Sequence, residues 1–189
     1  MNETERMTLR EPEESDVETL RAYHRRNAER FALWDAVPGD EPEAHLAWIR
    51  DHHAARKAKR PVAFLGFDRS TSHLVGLVAL SGFNAEPPSA MVNYSVDAAY
   101  EGKGYAFEMV AQMARYAFEE LLLSSMTASV RVGNERSLRL LERPGVRDRR
   151  AQPGYPRARA PVPPARHSAA RANTLHYPTL SAAIASSRS

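Results

Sequence analysis

Met7 and Leu9 alternate with Thr8 and Arg10, a period of two that predicts a first strand over residues 6–11, ended by Pro12. The run Ser15-Asp16-Val17-Glu18 reads as a capping box, with Ser15 at the N-cap and Glu18 three positions on, so a helix opens there. Val17, Leu20 and His24 share one face of it. A polar stretch between Pro38 and Pro42 breaks the pattern. Residues 43–59 then carry Leu46, Ile49 and His53 on one side of a second helix.

Three strands follow, over residues 62–67, 74–80 and 90–96. In the last, Met91, Asn93 and Ser95 alternate with Val92, Tyr94 and Val96, and the short spacing predicts an antiparallel meander. A glycine-bearing loop leads into a long helix over residues 104–122, with Tyr105, Met109, Met113, Tyr116 and Ala117 at helical spacing. Residues 126–132 alternate again as a strand, and Asn134 N-caps a last helix to Arg143. The order β-α-α-β-β-β-α-β-α defines an α+β domain, a mostly antiparallel central sheet flanked by helices.

Past Arg143 the periodicity stops. Residues 144–189 hold more than half of the 13 prolines, together with many alanines and arginines. Such a sequence predicts a disordered Pro/Ala/Arg-rich tail behind a domain of residues 1–143. The net charge of +3 belongs to this tail, because residues 1–143 carry more acids than bases and residues 144–189 only one acid, Asp148. A basic tail can neutralise phosphates, but this one lacks interleaved aromatics or a nucleic-acid motif, so no nucleic-acid partner is expected.

With 43% hydrophobic residues the chain can bury a real core, and with no cysteine it has no disulfide, thiolate metal site or thiol nucleophile. The first residues hold no apolar signal region and no apolar run could span a bilayer, so a cytoplasmic protein away from membranes is expected. His52 and His53 are adjacent and point apart on a helix, and nothing matches a metal-binding spacing; no metal is expected.

Candidate chemistry lies in two segments. In the first, a strand ending Tyr94-Ser95-Val96-Asp97 runs through Glu101-Gly102-Lys103-Gly104 into a long helix. A helix N-terminus offers free N–H groups and the positive end of the dipole, suited to a pyrophosphate. Gly102 and Gly104 let the backbone come close to such a group, and Lys103 adds charge. Alone, Gly-Lys-Gly is equally an ordinary turn, and neither a P-loop nor a dinucleotide fingerprint is present. The second segment is Asn134-Glu-Arg-Ser137, one helix and one strand later. Asn134 is also a plain N-cap, Ser137 a first-turn residue and Tyr94 a core aromatic; the two segments in this order are more specific than either.

Residues 7–143 resemble the GNAT superfamily of N-acetyltransferases, most closely its RimJ/RimL-like ribosomal-protein-alanine branch. Glu101, Gly104 and Ala106 occupy the fixed places of that family's acyl-CoA loop, where Glu101 replaces the usual Gln or Arg. Arg26-Asn27 and Trp34-Asp35 resemble the branch's N-terminal region. The resemblance implies the GNAT fold and acetyl-CoA as cosubstrate, contacted by Ser95, Val96, Gly102, Lys103, Gly104, Tyr105, Ala106, Asn134 and Ser137. It implies direct attack of a primary amine on the thioester, the acceptor being a protein N-terminal α-amine or a small-molecule amine. Ser137 would donate to the leaving thiolate, with Tyr94 as the alternative. The base stays open between a water held by Asn84 or Asn93 and the carboxylate of Glu86. A homodimer is allowed.

The resemblance fails after Arg143, where Leu-Gly-Phe should follow, so the last two strands of the fold are expected to be missing. Codons that encode residues 144–149, read one base on, spell Leu-Gly-Phe-Val-Ile-Glu, compatible with a frameshift. A chain that binds CoA without catalysis, or a destabilised product, is the competing expectation.

Overall fold

The computed structural model describes residues 3–33, 39–57, 62–131, 133–141, 146–148 and 170–175. In it β1 (Met7–Arg10) pairs antiparallel with β2 (Val62–Asp68), β2 with β3 (Leu74–Ala85), and β3 with β4 (Pro88–Val96). This is the expected meander with the first strand added at its edge. β5 (Ser125–Arg131) runs parallel to β4 but pairs with it only over Ser89–Ser125, Ala90–Met126 and Met91–Thr127. Past Met91 the two strands part, and a wedge opens in the middle of the sheet.

Phe64 and Leu65 are neighbours on β2 yet enter different apolar clusters, as the two-residue period of a strand requires. One face is covered by α3 (Tyr105–Arg115), which buries Met109, Met113 and Ala114 against Phe64, Val78 and Val92. The other face receives α1 (Val17–Ala32) and α2 (Pro42–Lys57), with Leu20, Tyr23 and Ile49 against Leu65 and Leu74. A mostly antiparallel sheet with helices on both faces is the architecture that the α+β expectation describes.

Three local expectations are corrected. The capping box sits two residues earlier, because Asp16 rather than Glu18 reaches back, accepting from the Glu13 N–H at 2.8 Å. A short 3-10 turn, Glu14–Asp16, therefore precedes α1. Burial opposes ionisation of Asp16, but Arg10 (2.6 Å) and the Glu13 N–H outweigh it and hold the carboxyl below its usual range. On α2 the inward face is His45, Ile49 and His52, not Leu46, Ile49 and His53. A histidine can be buried when its ring nitrogens find partners, and His45 has one on each. The long helix widens after Arg115 into a π turn, Tyr116–Glu120, where the Leu121 N–H reaches back five residues to Tyr116 O at 3.1 Å. Leu122, in the left-handed region at φ 54°, marks its end.

The sheet does not stop at β5, as the absence of two strands would require. The backbone of β7 (Ala170–Leu175) pairs antiparallel along β5, and β6 (Val146–Asp148) pairs outside β7. The physical reason is that an open sheet edge presents N–H and C=O groups to any extended segment, whatever its side chains. Residues 170–175 lie in a proline-free part of the tail and can supply that ladder. The rest of the tail, Trp34-Asp35 and Arg143 lie outside the described residues.

α1 is fastened to the end of β4 by side chains. Asn27, 2% exposed, donates to Asp97 Oδ2 at 3.1 Å and to Tyr23 O at 2.9 Å, and accepts from the Ala98 N–H at 3.0 Å. Arg26 pairs with the same Asp97, and Arg30 donates to Val96 O. Burial opposes the charge on Asp97, but the Ala99 N–H, Arg26 and Asn27 outweigh it and keep the carboxyl ionised below its ordinary range. Asn27→Ala would leave the Ala98 N–H unpaired and take one of three donors from Asp97 in a buried place, so it is expected to cost about 2–3 kcal/mol in urea unfolding.

Candidate active site

A cavity of about 1080 Å³ fills the wedge between β4 and β5. One wall is the freed end of β4, Val92–Val96; the opposite wall is β5 with α4 (Glu135–Leu141). One end is closed by the loop before α3, the other side by α1 and α2.

The loop is built by backbone conformation. Gly102 and Gly104 stand at φ 72° and 87°, in the left-handed region that glycine occupies without strain. Gly104 is the N-cap of α3 and offers no side chain to its first N–H groups, which lack partners within the helix. Arg6 braces the turn from behind: it donates to Lys103 O at 2.8 Å and grips Glu108 of α3 at 2.7 and 2.9 Å. Tyr105 is fixed by its hydroxyl, which donates to Asp68 at 2.8 Å.

Of the residues expected at the cofactor, Ser95, Val96, Gly102, Gly104, Tyr105, Ala106, Asn134 and Ser137 all line this cavity. Lys103 is not on the wall itself; its ammonium lies 5.7 Å from the ring of Tyr100, which is. Asn134 is the N-cap of α4, its side-chain oxygen accepting from the Ser137 N–H at 3.1 Å. That bond holds the first turn so that Ser137 Oγ meets Tyr94 Oη at 2.6 Å across the wedge. Two residues read separately from the sequence thus form one hydroxyl pair. Burial raises the Tyr94 pKa, against the hydrogen bond from Ser137, so the phenol keeps its proton at neutral pH.

Glu101 lines the cavity, but its carboxylate is taken up by Arg30 of α1 at 2.5 Å and by Arg136 of α4. The acid is therefore neutralised from both sides. Asn84 and Glu86 fall in the β3–β4 hairpin and are not on the cavity wall, whereas Asn93 is. The sequence reading missed Arg30, Phe31, His45 and Trp48 as wall residues and placed His24 only on a helix face. Burial and then His45 lower the pKa of His24 to about 4.

The folded state thus prefers neutral His24, while the unfolded chain takes up its proton near pH 6.5. The stability this gives is fully present above pH 6.5 and is lost as pH falls from there toward 4. Arg21 and Arg25 of α1 pair with Asp40 and not with this ring. A loss of about 1–2 kcal/mol between pH 7 and pH 4.5 is expected, reduced from the fully buried value by partial exposure of the ring. His24→Asn should flatten that part of the urea-midpoint profile.

The chain belongs to the acetyltransferase (GNAT) domain family, whose profile matches residues 6–147. It is therefore an N-acetyltransferase by family. The uncharacterized N-acetyltransferase YoaA of Bacillus subtilis is 27% identical over 143 residues, covering 76% of this chain and 80% of that protein. Ribosomal-protein-S5-alanine acetyltransferase of Vibrio fischeri has the same fold, with a TM-score of 0.72, 24% identity, and coverage of 78% of this chain and 82% of that one. So has RimL, a ribosomal L7/L12 α-N-protein acetyltransferase solved in complex with coenzyme A: TM-score 0.71, 15% identity, coverage 92% and 95%. Among the described residues no helix is long and apolar enough to cross a membrane.

Proposed function

We propose that this chain transfers the acetyl group of acetyl-CoA to a primary amine by direct attack on the thioester, in the wedge between β4 and β5. The observation that carries the reading is the meeting of Tyr94 and Ser137 at 2.6 Å in a cavity that also reaches the N-terminus of α3. The residues fit the cosubstrate. Backbone N–H groups at the N-terminus of α3, with Gly102 and Gly104 leaving room, would hold the pyrophosphate. The backbone of β4 beyond Met91, unpaired toward β5, would bind the amide-bearing arm and polarise the thioester oxygen.

Acetyl-CoA supplies an acyl group whose carbonyl carbon bonds the amine nitrogen while the C–S bond breaks. The departing thiolate needs a proton, and the Tyr94–Ser137 pair offers one. Tyr94 keeps its proton at neutral pH, and the hydrogen bond to Ser137 shares it along the pair. The acceptor enters from the α1–α2 side, past Phe31 and Trp48. The acceptor is a protein N-terminal α-amine, as in the ribosomal-protein acetyltransferases that share the fold, or a small-molecule amine.

The test has two parts. Thermal unfolding with acetyl-CoA should shift upward, because a ligand of the folded state stabilises by mass action. CoA-thiol release should then appear with one member of a panel: peptides beginning with alanine or serine, and small aliphatic or aromatic primary amines. An upward shift with no thiol release from any member would leave a CoA-binding protein without this activity. No shift at saturating acetyl-CoA would overturn the reading altogether.

A further inference from the structure

We propose that His24 takes the proton from the attacking amine and that His45 positions it for that role. The inference rests on the amine acetylation proposed above.

The argument begins at Glu41. Its backbone carbonyl can only accept, so the His45 Nδ1 at 3.1 Å carries a hydrogen. A neutral His45 then turns a lone pair at Nε2 toward His24 Nδ1, 2.9 Å away, and His24 must donate there. This leaves the lone pair of His24 on Nε2. The Glu41 carbonyl, His45 of α2 and the His24 ring of α1 thus fix one tautomer. A hydrogen-bonded orienting group behind an imidazole is the usual way to aim its free nitrogen.

Position supports the role. His24 lies on the α1–α2 side of the cavity, with Phe31 and Trp48, while the Tyr94–Ser137 pair belongs to β4 and α4. The other basic side chains on the wall that could take a proton are disposed otherwise. Glu101 is held by two arginines, and Glu135 shares α4 with Ser137, on the side of the leaving group. The imidazole is unprotonated at neutral pH, being held low by burial and by His45. A weak base suffices, because the nitrogen that has bonded the thioester carbon is cationic and a strong acid.

The step balances. The amine nitrogen bonds the acetyl carbon, its excess proton passes to His24 Nε2, the C–S bond breaks, and the sulfur takes a proton from the Tyr94–Ser137 pair. Solvent at the open cavity returns the proton to the pair and removes one from His24.

The test uses acetyl-CoA with the fastest acceptor of the panel. His24→Ala and His24→Gln are expected to lower kcat about 100-fold at unchanged KM for acetyl-CoA. Imidazole in the buffer should restore turnover to His24→Ala in proportion to its concentration, which a merely structural role would not give. His45→Asn should lower kcat less, and long-range ¹H–¹⁵N imidazole spectra should show His24 leaving the Nδ1–H tautomer. Wild-type kcat in His24→Gln overturns the proposal, as does a His24→Ala enzyme that imidazole leaves unrescued. An unsubstituted chain that binds acetyl-CoA yet releases no thiol overturns the acetylation reading itself, a result distinct from the other two.

Discussion

Gly76→Ala is expected to cause the largest loss of stability of the glycine-to-alanine changes among the described residues at ordinary φ. Gly76 lies on β3 opposite Val96, and a Cβ there would stand 2.3 Å from the Ser95 carbonyl oxygen and 2.9 Å from Met109 Cε. The methionine can move; the backbone carbonyl cannot without parting β3 from β4. Overpacking of this kind costs about 3 kcal/mol or more. For a chain of this size that lowers Tm by roughly 10 °C. The strand pushed aside carries Tyr94, Ser95 and Val96, so the stabilisation by acetyl-CoA should fall with it. Gly39→Ala is the control, since a Cβ there meets nothing within 4 Å. Equal midpoints for the two variants would show that the strands have slack at this point.

The second large effect is on rate. Tyr94→Phe removes the hydroxyl that meets Ser137 and leaves the ring in its place, so folding should be little changed. If the pair protonates the thiolate, kcat should fall about 100-fold while KM for acetyl-CoA moves little. Ser137→Ala should lower kcat as well, and the double variant should be scarcely worse than the poorer single one, because the two act as a unit. Additive losses would mean that the hydroxyls serve separate purposes. A rise in KM at constant kcat would mean that they only bind.

Most of the fold was legible because its signals are local. Alternation at Met7–Arg10 and Ala90–Val96, the helical spacing of Met109 and Met113, and the Asn134 cap all stand where the pattern puts them. The glycine loop before α3 was legible for the same reason, as a strand, two glycines and a helix in sequence. What was not legible depends on partners far along the chain. His45 reads as a polar position until His24 and the Glu41 carbonyl are seen to satisfy it. Arg30 reads as a solvated helix charge, although it reaches Glu101 and Val96 O. The pairing of residues 170–175 with β5 is invisible in a Pro/Ala/Arg-rich context, because a strand edge recruits backbone rather than side chains. Lys103, whose charge suggested an anion site, has its ammonium 5.7 Å from the ring of Tyr100, itself a wall residue.

The carboxylate of Glu101 sits between Arg30 and Arg136, so this corner of the loop carries one negative and two positive charges. An acid is tolerable at this corner only in the company of both arginines. The three positions should therefore change together over generations rather than singly. A lineage that lost Arg136 would be pressed to lose Glu101 next, and Glu101→Gln should relieve an Arg136→Ala defect that it would do little to an intact chain to produce.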